Sequence, residues 1–307
     1  MRTTCACRRH ATRSDFRHRR GALPQQQQSR AKAPPPLFAI IVPFREQKQQ
    51  NRAAQLDAFV RHMTGFLRGR RFVILVVQQS DDGRAFNRGA LLNVGFREAQ
   101  RLASGSGSSV ASLIFHDVDL LPSAGLLPWY TDPPICGRPT HIAAPSTWTK
   151  YAMPGYEEVF FGGVTALHPD DFERANGFPN EYWGWGMEDD QLRLRVDATG
   201  GLKAGVLRPP RGIGIFNDID SIRMLDLLQT REGFQQHHQM FNQLMFDRNA
   251  AQGGAGGTRR LDADWDGVGG LKGLRYEALS RSDPAVALSF DLERLHIKAR
   301  LRASKLR

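Results

Sequence analysis

The 307-residue chain has three cysteines, and two of them, Cys5 and Cys7, lie close together near its start. Cys136 stands alone in the rest of the chain, so a disulfide framework is excluded and burial must hold the fold. Long apolar runs are also missing. The longest, Leu37–Val42 and Phe72–Val77, are strand-sized, far short of the roughly 18 residues of a membrane-spanning helix. Acids are scarce only at the two ends. Residues 1–36 carry nine Lys/Arg against one acid, Asp15, and from Arg294 onward there are six basic residues and no acid. The formal net charge of +11 therefore resides in the termini and leaves the body at −3. A slightly acidic body argues against nucleic acid as a partner.

The arginine-rich start is followed by Gln25–Gln28 and Pro34–Pro36, a composition shared by organelle-targeting segments and disordered linkers. Three parts follow: a basic N-terminal tail or targeting segment at 1–36, one domain at 37–293, and a basic C-terminal tail at 294–307. Within the domain, Leu37–Val42 reads as a buried strand ended by Pro43, with Phe44–Glu46 as the loop after it. Arg52–Leu67 has one apolar helical face, Phe72–Val77 is a second strand, Leu91–Leu102 a second helix, and Ser112–Phe115 a third strand. Alternation of strand and helix predicts an α/β fold, a mostly parallel Rossmann-like sheet with helices on both faces. Ligands then sit at the carboxyl ends of the strands, which brings Pro43–Arg45, Phe86–Arg88 and Asp117–Asp119 to one crevice. Farther on, Phe160–Leu167 reads as a strand interrupted by Gly162-Gly163, Ile222–Phe246 as broken helix, Asn249–Thr258 as a glycine-rich loop, and Val286–Leu292 as a closing strand.

The chemistry concentrates in Gly177–Asp190, G-F-P-N-E-Y-W-G-W-G-M-E-D-D. Trp183 and Trp185 stand among glycines that free the backbone to move a flat ring. Aromatic faces beside carboxylates suit sugars, whose C–H faces stack while their hydroxyls seek acceptors. Glu188, Asp189 and Asp190 need solvent, cations or a helix N-terminus, and Gln191–Val196 is helical in pattern. Asp117-Val118-Asp119, after a buried strand, offers hard oxygens to magnesium or manganese. Phe44-Arg45 and Phe86-Asn87-Arg88 each pair an aromatic with an arginine, which suits a base and a phosphate.

V-P-F-R (Val42–Arg45), F-N-R-G-A-L-L-N-V-G-F (Phe86–Phe96), H-D-V-D-L-L-P (His116–Pro122), F-G-G-V (Phe161–Val164), the Gly177–Asp190 stretch and G-G-L (Gly269–Leu271) occur in this order. The set resembles the β4-galactosyltransferase family. With H-I-A-A-P (His141–Pro145) it looks most like the branch that adds galactose to the xylose of the proteoglycan linker. The resemblance implies a GT-A fold, a UDP-sugar donor, a carbohydrate or glycoconjugate acceptor, manganese with magnesium as the alternative, and transfer with inversion. By matching position, it implies that Pro43, Phe44, Arg45, Phe86, Arg88, Asp117 and Val118 hold the nucleoside, and that Gly163 and Trp185 close over the donor. Asp119 would bind metal. Glu188 and Asp190 would hold sugar hydroxyls, Asp189 would be the base, and Phe160 and Trp183 would border the acceptor.

Four departures from the family pattern stand out. Phe160 replaces an aromatic hydroxyl, which leaves galactose and N-acetylgalactosamine both open as the donor sugar. Met187 replaces a frequent glycine. The usual second arginine is Gln47 or Lys48. The downstream histidine metal ligands are absent, and Phe216-Asn217-Asp218-Ile219-Asp220 stands in their place. Asp218 and Asp220, two apart in an extended segment, point the same way and are expected to join Asp119 on the metal. His237-His238 is a second candidate pair. Family members reside in the Golgi behind an N-terminal anchor, whereas this sequence shows no membrane span. Two rivals remain: an enzyme using UDP-N-acetylgalactosamine or extending a polysaccharide, and an inactive sugar- or nucleotide-binding module.

Overall fold

A computed structural model describes residues 34–46, 50–149, 158–220, 242–243, 269–281 and 293–302. The three apolar runs form β1 (Leu37–Phe44), β2 (Phe72–Gln79) and β3 (Val110–His116), with β1 parallel to both of the others. Side chains alternate across this sheet. Ala39, Ile41, Leu75 and Val77 enter one core, and Ile40, Val42, Ile74 and Val76 the other. Strands buried on both faces must be apolar at every position. Helix α1 (Arg52–Phe66) supplies Leu56, Phe59 and Met63 to the second core, and α2 (Arg88–Gly105) supplies Leu91, Leu92, Val94 and Phe96 to the first. The two helices therefore cover opposite faces, as the sequence predicts. Gly95 lets α2 lie directly on β1, because a side chain there would overlap Ile41.

The sheet is completed by β5 (Thr140–His141), β6 (Val164–Leu167), β8 (Tyr276–Arg281) and β9 (Glu293–Leu301), in the order β5-β6-β3-β1-β2-β9-β8. Only β6 and β8 run against the other five. Strand β9 corrects the assignment of 294–307 to a tail, since residues 294–301 lie inside the sheet between β2 and β8. Ile297, Ala299 and Leu301 are buried while Arg300 is exposed. The basic residues are the outer half of a period-two pattern, and a charge count hides it.

Smaller elements complete the site. Strands β4 (Leu120–Pro122) and β7 (Phe216–Asp218) pair as an antiparallel ribbon. Four short helices follow: α3 (Leu127–Thr131), α4 (Pro169–Arg174), α5 (Glu188–Ala198) and α6 (Gly270–Gly273). Three boundaries differ from expectation. Pro43 does not end β1, which pairs with β2 through Phe44. Pairing with β3 stops at Ile41, so one side of β1 can do without the missing N–H of Pro43. Residues 160–163 precede β6 and are not part of it, and α5 begins at Glu188, three residues before Gln191. The segments Asn249–Thr258 and Val286–Leu292, the positions Gln47, Lys48, His237 and His238, and nearly all of Ile222–Phe246 lie outside the described residues. Among the described residues no helix is long and apolar enough to cross a membrane.

Candidate active site

The carboxyl ends of β1, β2 and β3 gather the first group of expected residues. Arg45 follows β1, donates to the carbonyl of Arg84 at 2.6 Å and lies over the Phe86 ring, 5.7 Å from its centroid. The Phe86 loop is held by Gln79 at the end of β2, whose Oε1 accepts from Asn87 N and whose Nε2 donates to the Ala85 carbonyl. Asn87 caps α2 by accepting from Ala90 N and donates from Nδ2 to the Asn180 carbonyl. Asn93 likewise exchanges hydrogen bonds with the backbone of Phe178. The asparagines of the F-N-R-G-A-L-L-N run thus fasten α2 to the G-F-P-N turn, which leads to the tryptophans.

Arg88, at the first turn of α2, joins the two halves of the site. Its Nε donates to Asp117 Oδ1 at 2.8 Å and its Nη1 lies 3.3 Å from Glu188 Oε1. Burial works against the guanidinium charge, but Asp117, Glu188 and Asp189 outweigh it and raise the Arg88 pKa. Val118 between the two aspartates is buried in the second core, which leaves Asp117 and Asp119 to serve the crevice. Asp117 N donates to the carbonyl of Gly163, which has φ +74° and sits against Ala143 and Trp148.

The acidic triplet forms the first turn of α5, where the free N–H groups and the helix dipole favour negative charge. Met187, just before it, adopts φ +74°, a backbone that glycine accepts without strain and that fits the glycine the resemblance implies at this position. Burial, followed by the charge of Asp189, pushes Glu188 up to about 7. Burial and both acidic neighbours push Asp190 up to about 8. Both carboxyls therefore hold a proton more tightly than usual, while Arg88 beside Glu188 favours its charged form. Asp189 Oδ1 accepts from Asp190 N at 2.9 Å.

The tryptophans part company. Trp183 is partly buried against the first core under the Arg84 guanidinium, 4.4 Å from the ring centroid. Trp185 is 45% exposed. Gly184 N donates to the Phe86 carbonyl at 2.7 Å, tying this loop to the one that holds Phe86. Phe160 is buried beside His141 and Trp148.

The expected metal residues do come together, with an unforeseen companion. Pairing of β4 with β7 sets Asp218 opposite Leu120, next to Asp119, and Ile219 N donates to the Asp119 carbonyl. Arg52, at the start of α1, reaches among them, 3.1 Å from Asp119 Oδ2 and 3.8 Å from Asp220 Oδ2. Asp218 accepts from Trp148 Nε1 at 3.2 Å and from Asp220 N at 3.0 Å. Among the described residues no three His, Cys, Asp or Glu side chains are placed as a ready metal-ligand set. Asp119, Asp218 and Asp220 thus form a carboxylate cluster reached by a guanidinium. In chemical kind the set still fits a hard cation. Asp119 is raised by burial and by the charges of Asp117 and Asp218, against which Arg52 works, so the cluster has negative charge to spare.

Sequence reasoning missed Arg52 because it sought a second arginine immediately after Arg45. It also missed Asn242, fully buried, whose Nδ2 faces the carbonyls of Trp183, Trp185 and Gly186 at 3.1–3.4 Å. Asn242 lies far from the tryptophans in sequence, and no local pattern marks it.

Known proteins resemble this chain in sequence and in fold. A family model described as the N-terminal region of glycosyl transferase group 7 matches residues 12–127, and one described as the N-terminal domain of galactosyltransferase matches 139–221. Human β-1,4-galactosyltransferase 3 is 40% identical over 178 residues, 57% of this chain and 40% of that protein. Human β-1,4-galactosyltransferase 6 is 39% identical over 184 residues, 59% and 43% of the respective lengths. The matched stretch is about two fifths of the length of these relatives. The catalytic domain of Drosophila β1,4-galactosyltransferase 7 with xylobiose superposes with a TM-score of 0.59 at 28% identity, covering 87% of this chain and 95% of that one. A mutant of the same enzyme with manganese, UDP-Gal and xylobiose gives 0.58 at 27% identity, with the same coverage. The fold is therefore that of the GT-A glycosyltransferases. Within that class, the chain belongs to the β4-galactosyltransferase family.

Proposed function

We propose that this protein is a metal-dependent, inverting galactosyltransferase that moves galactose from UDP-galactose to a hydroxyl of a xylose- or N-acetylglucosamine-type acceptor. The observation that carries this reading is Arg88, whose guanidinium joins Asp117 at the end of β3 to Glu188 at the start of α5. On this reading the strand end would bind the nucleoside and the acidic turn the sugar. Pro43, Phe44, Arg45 and Phe86 would hold the uridine, with Arg45 and Phe86 already stacked. Asp117 and Val118 would border the ribose, and Gly163 and Trp185 would cover the donor.

Glu188 and Asp190 would fix acceptor hydroxyls, with Asp189 taking the proton of the attacking hydroxyl. A single in-line displacement then inverts the sugar carbon. Asp119, with Asp218 and Asp220 once Arg52 gives way, would hold manganese or magnesium. Such an ion supplies Lewis-acid stabilisation of the departing diphosphate. Arg52, released from the carboxylates, would then be free to meet the phosphates.

The curated relatives and the Drosophila enzyme support the galactosyl donor. The resemblance of H-D-V-D-L-L-P and H-I-A-A-P to the xylosylprotein branch favours xylose as acceptor, as does the xylobiose bound in the two structures. Phe160, without a hydroxyl at its ring, keeps UDP-N-acetylgalactosamine as a second donor. Arg52 among the carboxylates favours a further reading, a binding protein without turnover. A screen of UDP-sugars with manganese, scoring donor hydrolysis and transfer to xylosides and N-acetylglucosaminides, separates the three. Transfer of galactose to a xyloside supports the proposal. Tight UDP binding with no turnover on any donor would sink it.

A further inference from the structure

We propose that Gly162 and His141 are positioning residues for Asp189, Gly162 by leaving the space its carboxylate occupies and His141 by holding the Gly162 carbonyl. This role rests on the reading of Asp189 as the base. Gly162 is not among the residues at positive φ, so its backbone conformation is open to any residue and only space excludes a side chain. A Cβ built there would overlap Asp189 Oδ2, standing 3.2 Å from Asp189 Cγ and 3.0 Å from Phe160 Cε2. The obstructing atom is the free end of a side chain. A larger residue at 162 therefore displaces the Asp189 carboxylate and leaves the backbone in place. Gly163 is different, because φ +74° and the Trp148 ring already forbid a side chain there.

His141 fixes the height of this platform. It is fully buried in edge strand β5, paired with Thr165 of β6. Its Nε2 lies 2.9 Å from the Gly162 carbonyl. A carbonyl only accepts, so Nε2 carries the proton, and Nδ1 is left bare and buried with no partner among the described residues. The ring stands edge-on to Phe160 at 5.1 Å and tilted to Phe161 at 5.9 Å, so it braces both residues that lead into Gly162. Burial lowers the His141 pKa to about 3, and the imidazole stays neutral wherever the protein works. A buried histidine with one orphan nitrogen is costly to keep for packing alone. Its retained bond goes to the residue on which Asp189 rests. A misplacement of about 1 Å in a reacting group costs on the order of a hundredfold in rate.

The test compares Gly162→Ala, His141→Phe and His141→Gln with the wild type in thermal melts, UDP–manganese calorimetry and steady-state transfer over a range of pH. Gly162→Ala should melt close to wild type and bind UDP equally well. Its kcat should fall at least about tenfold with the donor KM unchanged, and the acidic limb of its kcat profile should move. His141→Phe should show the same split, while His141→Gln, whose amide can donate to the Gly162 carbonyl, should recover most of the rate. Wild-type kcat and pH profile in Gly162→Ala would overturn the proposal, as would loss of rate that only tracks loss of UDP binding or melting. If the wild type transfers no sugar, the proposed function falls by itself. A crystal structure of Gly162→Ala then decides the positioning: Asp189 turned away supports it, and Asp189 in its wild-type place overturns it.

Discussion

Asp117 and Glu188, on different elements, share one guanidinium: Arg88 bonds the first at 2.8 Å and lies 3.3 Å from the second. Removing that cation would leave two largely buried carboxylates facing each other. Arg88→Met should therefore destabilise the protein by about 3 kcal/mol, the scale for stripping a buried pair of one partner, and abolish UDP binding. Chemical denaturation and UDP calorimetry read the two effects. A variant as stable as wild type would mean that solvent, not Arg88, carries these charges.

Asp189→Asn should keep UDP and manganese binding and lower turnover at least about a hundredfold, the usual scale for a lost general base. Rates alongside calorimetry separate the two effects. Turnover near that of wild type would remove Asp189 from the role.

The triplet also gives a pH dependence of known sign. Glu188 is raised to about 7 and Asp190 to about 8, above their ordinary carboxylate range. The folded protein thus binds more protons than the unfolded chain between about pH 4 and 8. Stability from these groups is complete below the unfolded pKa and is lost as pH rises through 7 and 8. Without metal or nucleotide, the melting temperature should fall over this window, and Glu188→Gln should flatten the fall. A flat wild-type profile would contradict the burial of these acids.

Arg52 is already a cation among Asp119 and Asp220, so manganese must displace it. Arg52→Gln should bind manganese several-fold more tightly in the absence of UDP, by calorimetry, and gain less from added UDP than wild type does. Equal affinities would show that Arg52 and the metal do not compete.

Trp185, 45% exposed between Gly184 at φ +85° and Gly186 at φ +103°, should bury its ring when UDP and manganese bind. The fluorescence change should shrink in Trp185→Phe, which leaves the chain's other four tryptophans in place. An unchanged wild-type signal despite measured binding would argue against a lid.

What the sequence made legible follows from where local pattern and tertiary need coincide. The doubly buried strands and the amphipathic helices are written in periodicity, so β1, α1, β2, α2 and β3 were readable within a few residues. The nearness of Asp117, Arg88 and the triplet was readable through motifs whose order is specific. The asparagine ties of Asn87, Asn93 and Asn242 were not, because a side chain that bonds a distant backbone leaves no local trace. Strand β9 was hidden by its own surface, where every second residue is basic and the charge tally suggested a tail. Arg52 was hidden by distance. Its helix begins several residues beyond Arg45, and only the fold returns its guanidinium to the aspartates.

Strand β9 also bears on how the chain folds. It pairs along β2 from Val73 to Gln79, although the two strands lie at opposite ends of the described chain. Until β9 arrives, one edge of β2 presents unpaired amides and carbonyls in the middle of an apolar sheet, an invitation to any other strand. Such a long closure is slow relative to local helix formation. A newly made chain in which β9 pairs last would have the ends of β1, β2 and β3 nearly assembled while its sheet is still open to aggregation. Changes near Ile297, Ala299 and Leu301 would then reduce the yield of folded protein far more than they alter the chemistry of the molecules that do fold.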